Sequence, residues 1–491
     1  MFFVSFVHTK NKVIQVETIK KIKEAFGNAS DLIIRDFQIG ECTIYLVQNE
    51  VLCNSSFINE YILDRLTNLS LTKENEEFLL YNFLPDNSVI KVKDLDQMID
   101  FVCKGFALLI YEEEKGIAIE AKASLDRGIG EANSESTIRG SKDAFNENFN
   151  TNLGLIRRRL RCEHCFMETL FLGKESRVKT GILYMNDIAL KENVETVKKK
   201  LERINVDGVF DSGSLKRYLE EKHNFLFPTV LATERPDRAA QALLEGKIVI
   251  ITDNSPFALI TPTFFVDYLH SPDDYYQRSF HISFLRIIRL LAFLIAIFTP
   301  ALYIALTTHN QDMLPFDLLL NFAAQRESVP FSALTEALFM SISFEILRES
   351  DIRKPASMGS AVSILGGLIL GDAAVSAGII SPIMIIVISI SAISGLAFTS
   401  QEMISSLRWL RFIMMFLAMF FGIFGIFWGA IFLLASLTTT TTLNLPYFAP
   451  ISPLVKEELG DSLIKSKNKK IRKRNPLLTK NKVREREREK K

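Results

Sequence analysis

Hydrophobic and polar positions change their period partway along the 491-residue chain. Up to about residue 268, apolar residues alternate over short runs, as half-buried strands do, and stretches with helical spacing separate the runs. "DLIIRDFQIGECTIYLVQ" reads as paired strands, "FINEYILDRL" as a helix, "DLDQMIDFVCKG" as a second helix from Asp94, and "FALLIYEEEKGIAIEA" as a hairpin around Lys115-Gly116. The same order returns downstream. "TLFLGKESRVKTGILYMNDIA" is strand, turn, strand; "ENVETVKKKLERI" is a helix; "RPDRAAQALLEGK" is a helix stopped by Gly246; "KIVIITDNSPFALITP" is a hairpin around Asp253-Asn254. Two α/β subdomains of similar fold are therefore expected, over 1–122 and 160–268. A duplication would explain the likeness, and so would the commonness of this element order. Between them, 123–159 holds the Gly-, Ser- and charge-rich "SLDRGIGEANSESTIRGSKDAF" and a helix. That helix ends in Arg157, Arg158, Arg159 and Arg161, a cluster expected to be a solvated face, with a grip on an acidic neighbour or anionic lipid as the alternative.

Past about residue 285 the pattern loses its charges. Leu290–Leu306 is uncharged and long enough to cross a bilayer, with a kink expected at Pro300. Arg286 and Arg289 lie three apart on one helical face before it, placed to anchor the span by reaching the headgroups. Met358–Ser400 has Asp372 as its single charge, length for two crossings, and a natural break at Ser381-Pro382. Phe412–Leu437 is a further uncharged span led by Arg408 and Arg411, and "LNLPYFAPISPLV" after it suits an ordered loop. Val329–Leu347 is apolar but carries Glu336 and Glu345 on opposite helical faces. It either crosses with both carboxylates against polar partners or lies in the interface, so the side reached by the basic tail is open. Gly367, Gly371, Ala374 and Gly378 form one small-residue stripe and Gly422, Gly425 and Gly429 another, the kind that lets helices approach in lipid. The expected fold class is an α/β cytosolic region of two similar subdomains, followed by an α-helical multi-span membrane domain. That domain covers 269–455 with four to five spans, and 456–491 is expected to be a disordered basic tail.

Composition narrows the chemistry. Lys and Arg number 58 against 57 Asp and Glu, so no whole-chain charge favours nucleic acid. The "MFFVSFVHTKNK" start is too short an apolar run for a signal peptide, which leaves the first half on the cytoplasmic side. Of five cysteines, Cys162 and Cys165 form a CxxC around His164, but no second pair completes a zinc site. Gly128 and Gly130 start a dinucleotide-like loop that fails at Asn133. No spacing of carboxylates, Ser, His or Asp asks for catalysis, so neither an enzyme nor a cofactor is expected. Asp372 is the sharpest candidate. A charge near the bilayer centre costs about 2.5–3.5 kcal/mol on insertion scales, tolerable when the carboxylate faces water, a cation or a partner's donor. With Glu336 and Glu345 it is a candidate for an ion path or an intramembrane contact.

The stretch "TERPDRAAQALLEGKIVIITDNSPFALITPTFFVDYLHSPDDYY" resembles the A subunits of the GerA-type spore germinant receptors of endospore-forming bacteria. The likeness continues through "RIIRLLAFLIAIFTPALYIALTTHNQDMLP", "RESVPFSALTEALFMSISFEILRESDIRKP", "GDAAVSAGIISP", "LRWLRF" and "LPYFAP", and backward to "STIRG" and "TNLGLIRRRLR". It spans about 136–453; residues 1–120 share only the pattern. "RGSKDAF" departs where the family carries Pro after the Gly, and the CxxC is not a family feature. The resemblance implies a non-enzymatic subunit in the spore inner membrane, multi-pass with a cytoplasmic N-terminal region, that couples nutrient sensing to germination. It implies as partners a transporter-like membrane B subunit holding the germinant and a lipoprotein C subunit, with the A subunit forming a homo-oligomer that conducts or gates ions. A solute transporter and a passive scaffold are the rival readings. Against the transporter, no paired half-helices or inverted repeat are visible.

Overall fold

The computed structural model describes residues 17–39, 42–67, 89–123, 130–220 (except 131, 133, 136, 138 and 139), 226–352, 367, 371–455, 459–465 (except 463) and 474–479. The chain forms two compact units. One is 1–220 with 230–262 and 472–491; the other is 221–229 with 263–471.

The first unit contains two five-stranded antiparallel sheets. Strands β1 (Leu32–Ile39), β2 (Cys42–Asn49), β3 (Val89–Val92), β4 (Phe106–Glu112) and β5 (Lys115–Glu120) lie in the order β1-β2-β4-β5-β3. Strands β6 (Cys165–Leu172), β7 (Val178–Met185), β8 (Leu231–Thr233), β9 (Ile248–Thr252) and β10 (Ala258–Thr261) repeat it as β6-β7-β9-β10-β8. Identical strand order in both sheets favours the duplication reading. Sequence periodicity passes over β3 and β8, because three or four residues at a sheet edge are too few to show alternation.

Alternation along the strands sends successive side chains to opposite faces, and helices cover both faces of the first sheet. On one face Ile44, Leu46, Leu109, Ile117 and Ile119 pack with Ile58, Ile62 and Leu66. On the other, Val47, Leu108, Ile110 and Ala118 pack with Ile22, Phe26, Met98 and Val102. The covering helices are α1 (17–25), α2 (55–67) and α3 (Leu95–Cys103). The second half of the unit adds α4 (Phe149–Arg159), α5 (Lys191–Glu202), α6 (Ser212–Leu219) and α7 (Pro236–Leu244).

The end of α4 is not a solvated basic face. Arg157 is buried and reaches back to the turn before β1, where Nε and Nη2 donate to the Asp31 carboxylate at 3.1 and 3.2 Å. Its Nη1 donates to the carbonyl of Cys165 at the start of β6, at 2.6 Å. Asn49 completes the carboxylate's shell at 2.9 Å. One guanidinium thus joins both sheets. Beside it the Phe166 ring lies so close to Gly27 (φ 61°) that a Cβ there would stand 2.2 Å from a ring carbon. Arg159 pairs with Asp143, while Arg158 and Arg161 keep solvent-facing positions.

Described parts of the segment between the sheets are fastened as well. Arg235, fully buried, pairs with Asp237 at 2.6 Å and donates to Thr137 Oγ1 and the Ser141 carbonyl, while Arg238 pairs with Glu135. The tail also corrects the expectation of disorder, at the residues described there. Leu478 is 0% exposed, its carbonyl accepts from Leu190 N, Thr479 bridges Ala189, and Arg474 Nε donates to the Leu244 carbonyl. Gly246, at φ 91°, leaves room for the Leu478 carbonyl. Gly128 lies outside the described residues.

The second unit is helical: α8 (Ser279–Thr308), α9 (Phe316–Arg326), α10 (Ala333–Ile352), α11 (371–376), α12 (Pro382–Gly395) and α13 (Gln401–Thr439), followed by a two-residue hairpin pair at Thr441–Thr442 and Leu445–Pro446. Pro300 sits inside α8 without ending it.

Removing one partner of a buried ion pair strands the other charge, at about 3–5 kcal/mol. Arg157→Met should therefore lower the melting temperature of the purified full chain, and Asp31→Leu in the same protein should recover most of the loss. Additive losses in the double variant would show that the two side chains do not act as a pair.

Candidate functional site

The helical unit is organised by a reversal that the sequence does not announce. Within α13, Gly422 has φ 59° and ψ −143°, a conformation essentially reserved for glycine, and it divides the helix into two arms. The arms fold back on each other: a Cβ on Gly425 would stand 2.2 Å from the Leu417 carbonyl oxygen, and one on Gly429 2.5 Å from Met414 Sδ. The single span expected at Phe412–Leu437 is therefore a helical hairpin. Two adjacent residues just past the end of α8 hold the reversal. His309 Nε2 donates to the Met419 carbonyl at 2.5 Å, and Asn310 Oδ1 accepts from Ile423 N at 3.0 Å.

Contacts along α8 give the helices their directions. Phe293 in its first half meets Phe398 just before α13, and its C-terminal end meets Met419, so α8 and the first arm run the same way. The second arm runs back. Tyr303 stands near Glu336 and Ser381, whereas Ala296 accepts from Ser391, so α12 runs against α8, and α10 runs with α12. Along α8 and α13, Phe280, Phe284, Leu291, Phe416, Phe420, Phe424, Phe427 and Phe432 are exposed. Helices Ser279–Thr308 and Gln401–Thr439 are long and apolar enough to cross a membrane.

Arg286 and Arg289 do not reach outward. Arg286 is 0% exposed and forms ion pairs with Asp274 at 3.0 Å and Asp461 at 3.2 Å, plus hydrogen bonds to the Asp461 and Ser462 carbonyls. Arg289 holds Asp274 through both terminal nitrogens at 2.9 Å and donates to the Leu269 carbonyl. Lys465 Nζ donates to the Asp274 carbonyl at 2.5 Å. The anchor assignment is corrected: Asp274, on the 3-10 turn ahead of α8, draws both guanidinium groups back onto the protein. Pairing there is cheaper than an unpaired carboxylate buried beside them.

Glu336, in the first turn of α10, is buried at the break between α11 and α12. Its Oε2 accepts from the Ser381 backbone N at 2.9 Å and the Ser381 hydroxyl at 2.8 Å. A carboxylate from another helix thus meets the N-terminal end of α12, where the helix dipole favours negative charge. Arg326 lies 3.4 Å away across the other carboxylate oxygen. That oxygen, the Tyr303 hydroxyl and Arg326 Nε are buried without a hydrogen bond among the described residues. Gly378, at φ 66° and with Ser328's carbonyl 3.3 Å from its would-be Cβ, makes the turn that ends α11.

The rest of that stripe behaves differently. A Cβ on Gly367 or Gly371 would meet only ordinary contacts, at 4.0 Å from Leu347 and 3.9 Å from Ile385, so neither glycine is needed for a close approach; Ala374 is buried. Glu345 faces Arg408 at 2.6 Å and Arg411 at 3.3 Å. Asp372 is exposed on the unit's surface and makes no hydrogen bond or ion pair with a described residue. The structure therefore separates the three acids: Glu336 caps a helix, Glu345 is paired by arginine, and Asp372 stands apart.

Cys165 is buried, and burial pushes its thiol up to about 11; the Cys162 thiol is raised for the same reason. Among the described residues no three His, Cys, Asp or Glu side chains stand together as a metal site. The signal that sequence reasoning missed is "THN" at the end of an apolar helix: a donor and an acceptor that terminate two other helical arms.

Two outcomes follow from this geometry. Arg286→Met should lower the yield of folded protein more than Arg289→Met, because Arg289 keeps partial solvent access at 15% exposure; equal yields would argue against the buried network. Gly422→Ala should cost about 1–3 kcal/mol in backbone strain, with a clash against His309 in addition. Disulfide crosslinking of cysteines at 414 and 429, in a background without native cysteines, should drop in that variant.

The family of the Bacillus/Clostridium GerA spore germination protein matches residues 20–477. Spore germination protein KA of Bacillus subtilis (strain 168) is 34% identical over 455 residues, covering 91% of this chain and 84% of its own. Spore germination protein B1 of the same organism is 32% identical over 454 residues, covering 90% and 93%. Spore germination protein GerLA of Bacillus cereus is 31% identical over 456 residues, covering 91% and 92%. Among solved structures, the crystal structure of the N-terminal domain of the A subunit of the Bacillus megaterium spore germinant receptor GerK3 aligns at 26% identity and TM-score 0.39, over 50% of this chain and 94% of that one. Family match and relatives agree over nearly the whole length: the chain belongs to the GerA family of spore germination proteins.

Proposed function

We propose that this protein is the A subunit of a nutrient germinant receptor in the spore inner membrane, and that it couples germinant sensing to germination as an oligomeric ion gate. The relatives' names support the process. The partners in this reading are a transporter-like B subunit that holds the nutrient and a lipoprotein C subunit.

The observation that carries the gate is Asp372. A lone carboxylate, exposed on an apolar helical unit and unpartnered among the described residues, is costly against lipid. It becomes tolerable where neighbouring copies enclose a hydrated path, and there it favours cations. The fold-back of α13 and the antiparallel run of α8 and α12 fit a multi-pass domain. Residues 474–479, folded into the α/β unit, bring the chain's end back to that unit. With the α/β unit cytoplasmic, the number of crossings is then even. Four or six passes satisfy that, and an odd count does not.

The test is ion flux through liposomes holding the purified protein, alone and with its partner subunits. Cation release is expected, and Asp372→Asn should assemble normally yet slow release or alter selectivity. Unchanged release from a normally assembled variant removes Asp372 from the path. Solute-coupled uptake would mark a transporter, and no flux in any combination a scaffold.

A further inference from the structure

The helical unit has a second charged feature that the gate does not use. Between α10, α12 and the first arm of α13 lies a cavity of about 270 Å³ lined by Arg348, Arg408, Arg411 and Glu345 together with apolar side chains. Glu345 engages Arg408 and Arg411, and Arg348 donates to Gln401 at 2.9 Å. Three guanidinium groups thus face one carboxylate, which leaves two positive charges uncompensated among the residues lining the cavity. Arg411 is more than nine-tenths buried, yet its Nε, like that of Arg408, has no hydrogen-bond acceptor among the described residues. A buried guanidinium donor without an acceptor is costly. An anion in the cavity would remove that cost.

The walls narrow the class of anion. Phe344, Leu347 and Leu407 give the cavity an apolar lining, and its rim residues Ile393 and Leu396 are 66% and 65% exposed on the unit's apolar outer surface. An arginine cluster recognises phosphate through paired N–H donors, and basic pockets between membrane helices suit lipid headgroups. We infer that this cavity binds the phosphate of an anionic phospholipid, its headgroup against Arg348, Arg408 and Arg411 and its acyl chains along Ile393 and Leu396. The inference rests on the membrane reading of the helical unit, and goes beyond the gate because the site is formed within one subunit.

The full chain would be reconstituted into nanodiscs of phosphatidylglycerol and phosphatidylcholine in equal parts, and the lipid it retains on release measured by native mass spectrometry. Only protein recovered in the discs is scored, so failure to incorporate counts against the membrane reading itself. Incorporated protein should retain phosphatidylglycerol over phosphatidylcholine, and Arg348→Gln, which leaves the Glu345 pairs intact, should cut the preference by about fivefold. Arg348→Lys should keep part of it. Equal retention of the two lipids, or a preference unchanged in Arg348→Gln, would overturn the assignment. Displacement of the lipid by millimolar inorganic phosphate would reassign the cavity to a free anion.

Discussion

Buried arginines that reach partners beyond their own helix or strand are the constraint from which most of this architecture follows. Arg157 ties the two sheets through Asp31, and Arg235 fastens the segment between them. Arg286 and Arg289 share Asp274 and draw in residues 461–465. Desolvating a guanidinium is expensive, and the attraction of its partner does little more than offset that cost. What such pairs supply is exclusivity. A displaced register or a misplaced segment leaves a charge buried without its counterion, so alternatives to the native arrangement are penalised. Backbone carbonyls or side-chain acceptors add to the shells of Arg157, Arg235 and Arg286, although Arg286 Nη2 is buried without a hydrogen bond among the described residues.

The helical unit applies the same rule to backbone groups. Where helices break, orphaned N–H and C=O groups need partners, and at a buried break these come from the protein itself. The unit supplies them from other helices: Glu336 at the start of α12, His309 and Asn310 at the reversal in α13. A helix end served from elsewhere cannot shift alone. These two positions therefore tie α10 to α12 and the end of α8 to α13.

Much of the α/β unit was legible in the sequence. The double strand–strand–helix–helix–strand–strand pattern appears as two sheets of identical strand order, because a strand buried on one or both faces leaves its period in the composition. The break at Ser381-Pro382 was legible for a similar reason: proline fits the first turn of a helix and not its interior. The apolar runs marked α8 and α13 because length and hydropathy are properties of a segment alone. Glu336, Glu345 and Asp372 were visible as anomalies, since a carboxylate in an apolar run is conspicuous wherever it ends up.

Their roles were decided in three dimensions. Arg157 and Arg286 looked like solvated or headgroup-facing residues because their partners, Asp31 and Asp461, stand 126 and 175 positions away. Charge runs carry no information about such distances. Gly422 read as one member of a packing stripe, and its positive φ is a backbone property that spacing cannot express; with it, one expected span became two arms. The tail's basic composition predicted a solvated chain, yet the short "NPLLT" within it pins Leu478 into the α/β unit. The sequence alone determined which segments are apolar, which alternate, and where chemistry is scarce. The tertiary structure decided which charge meets which, because burial and pairing depend on neighbours that only the folded chain brings together.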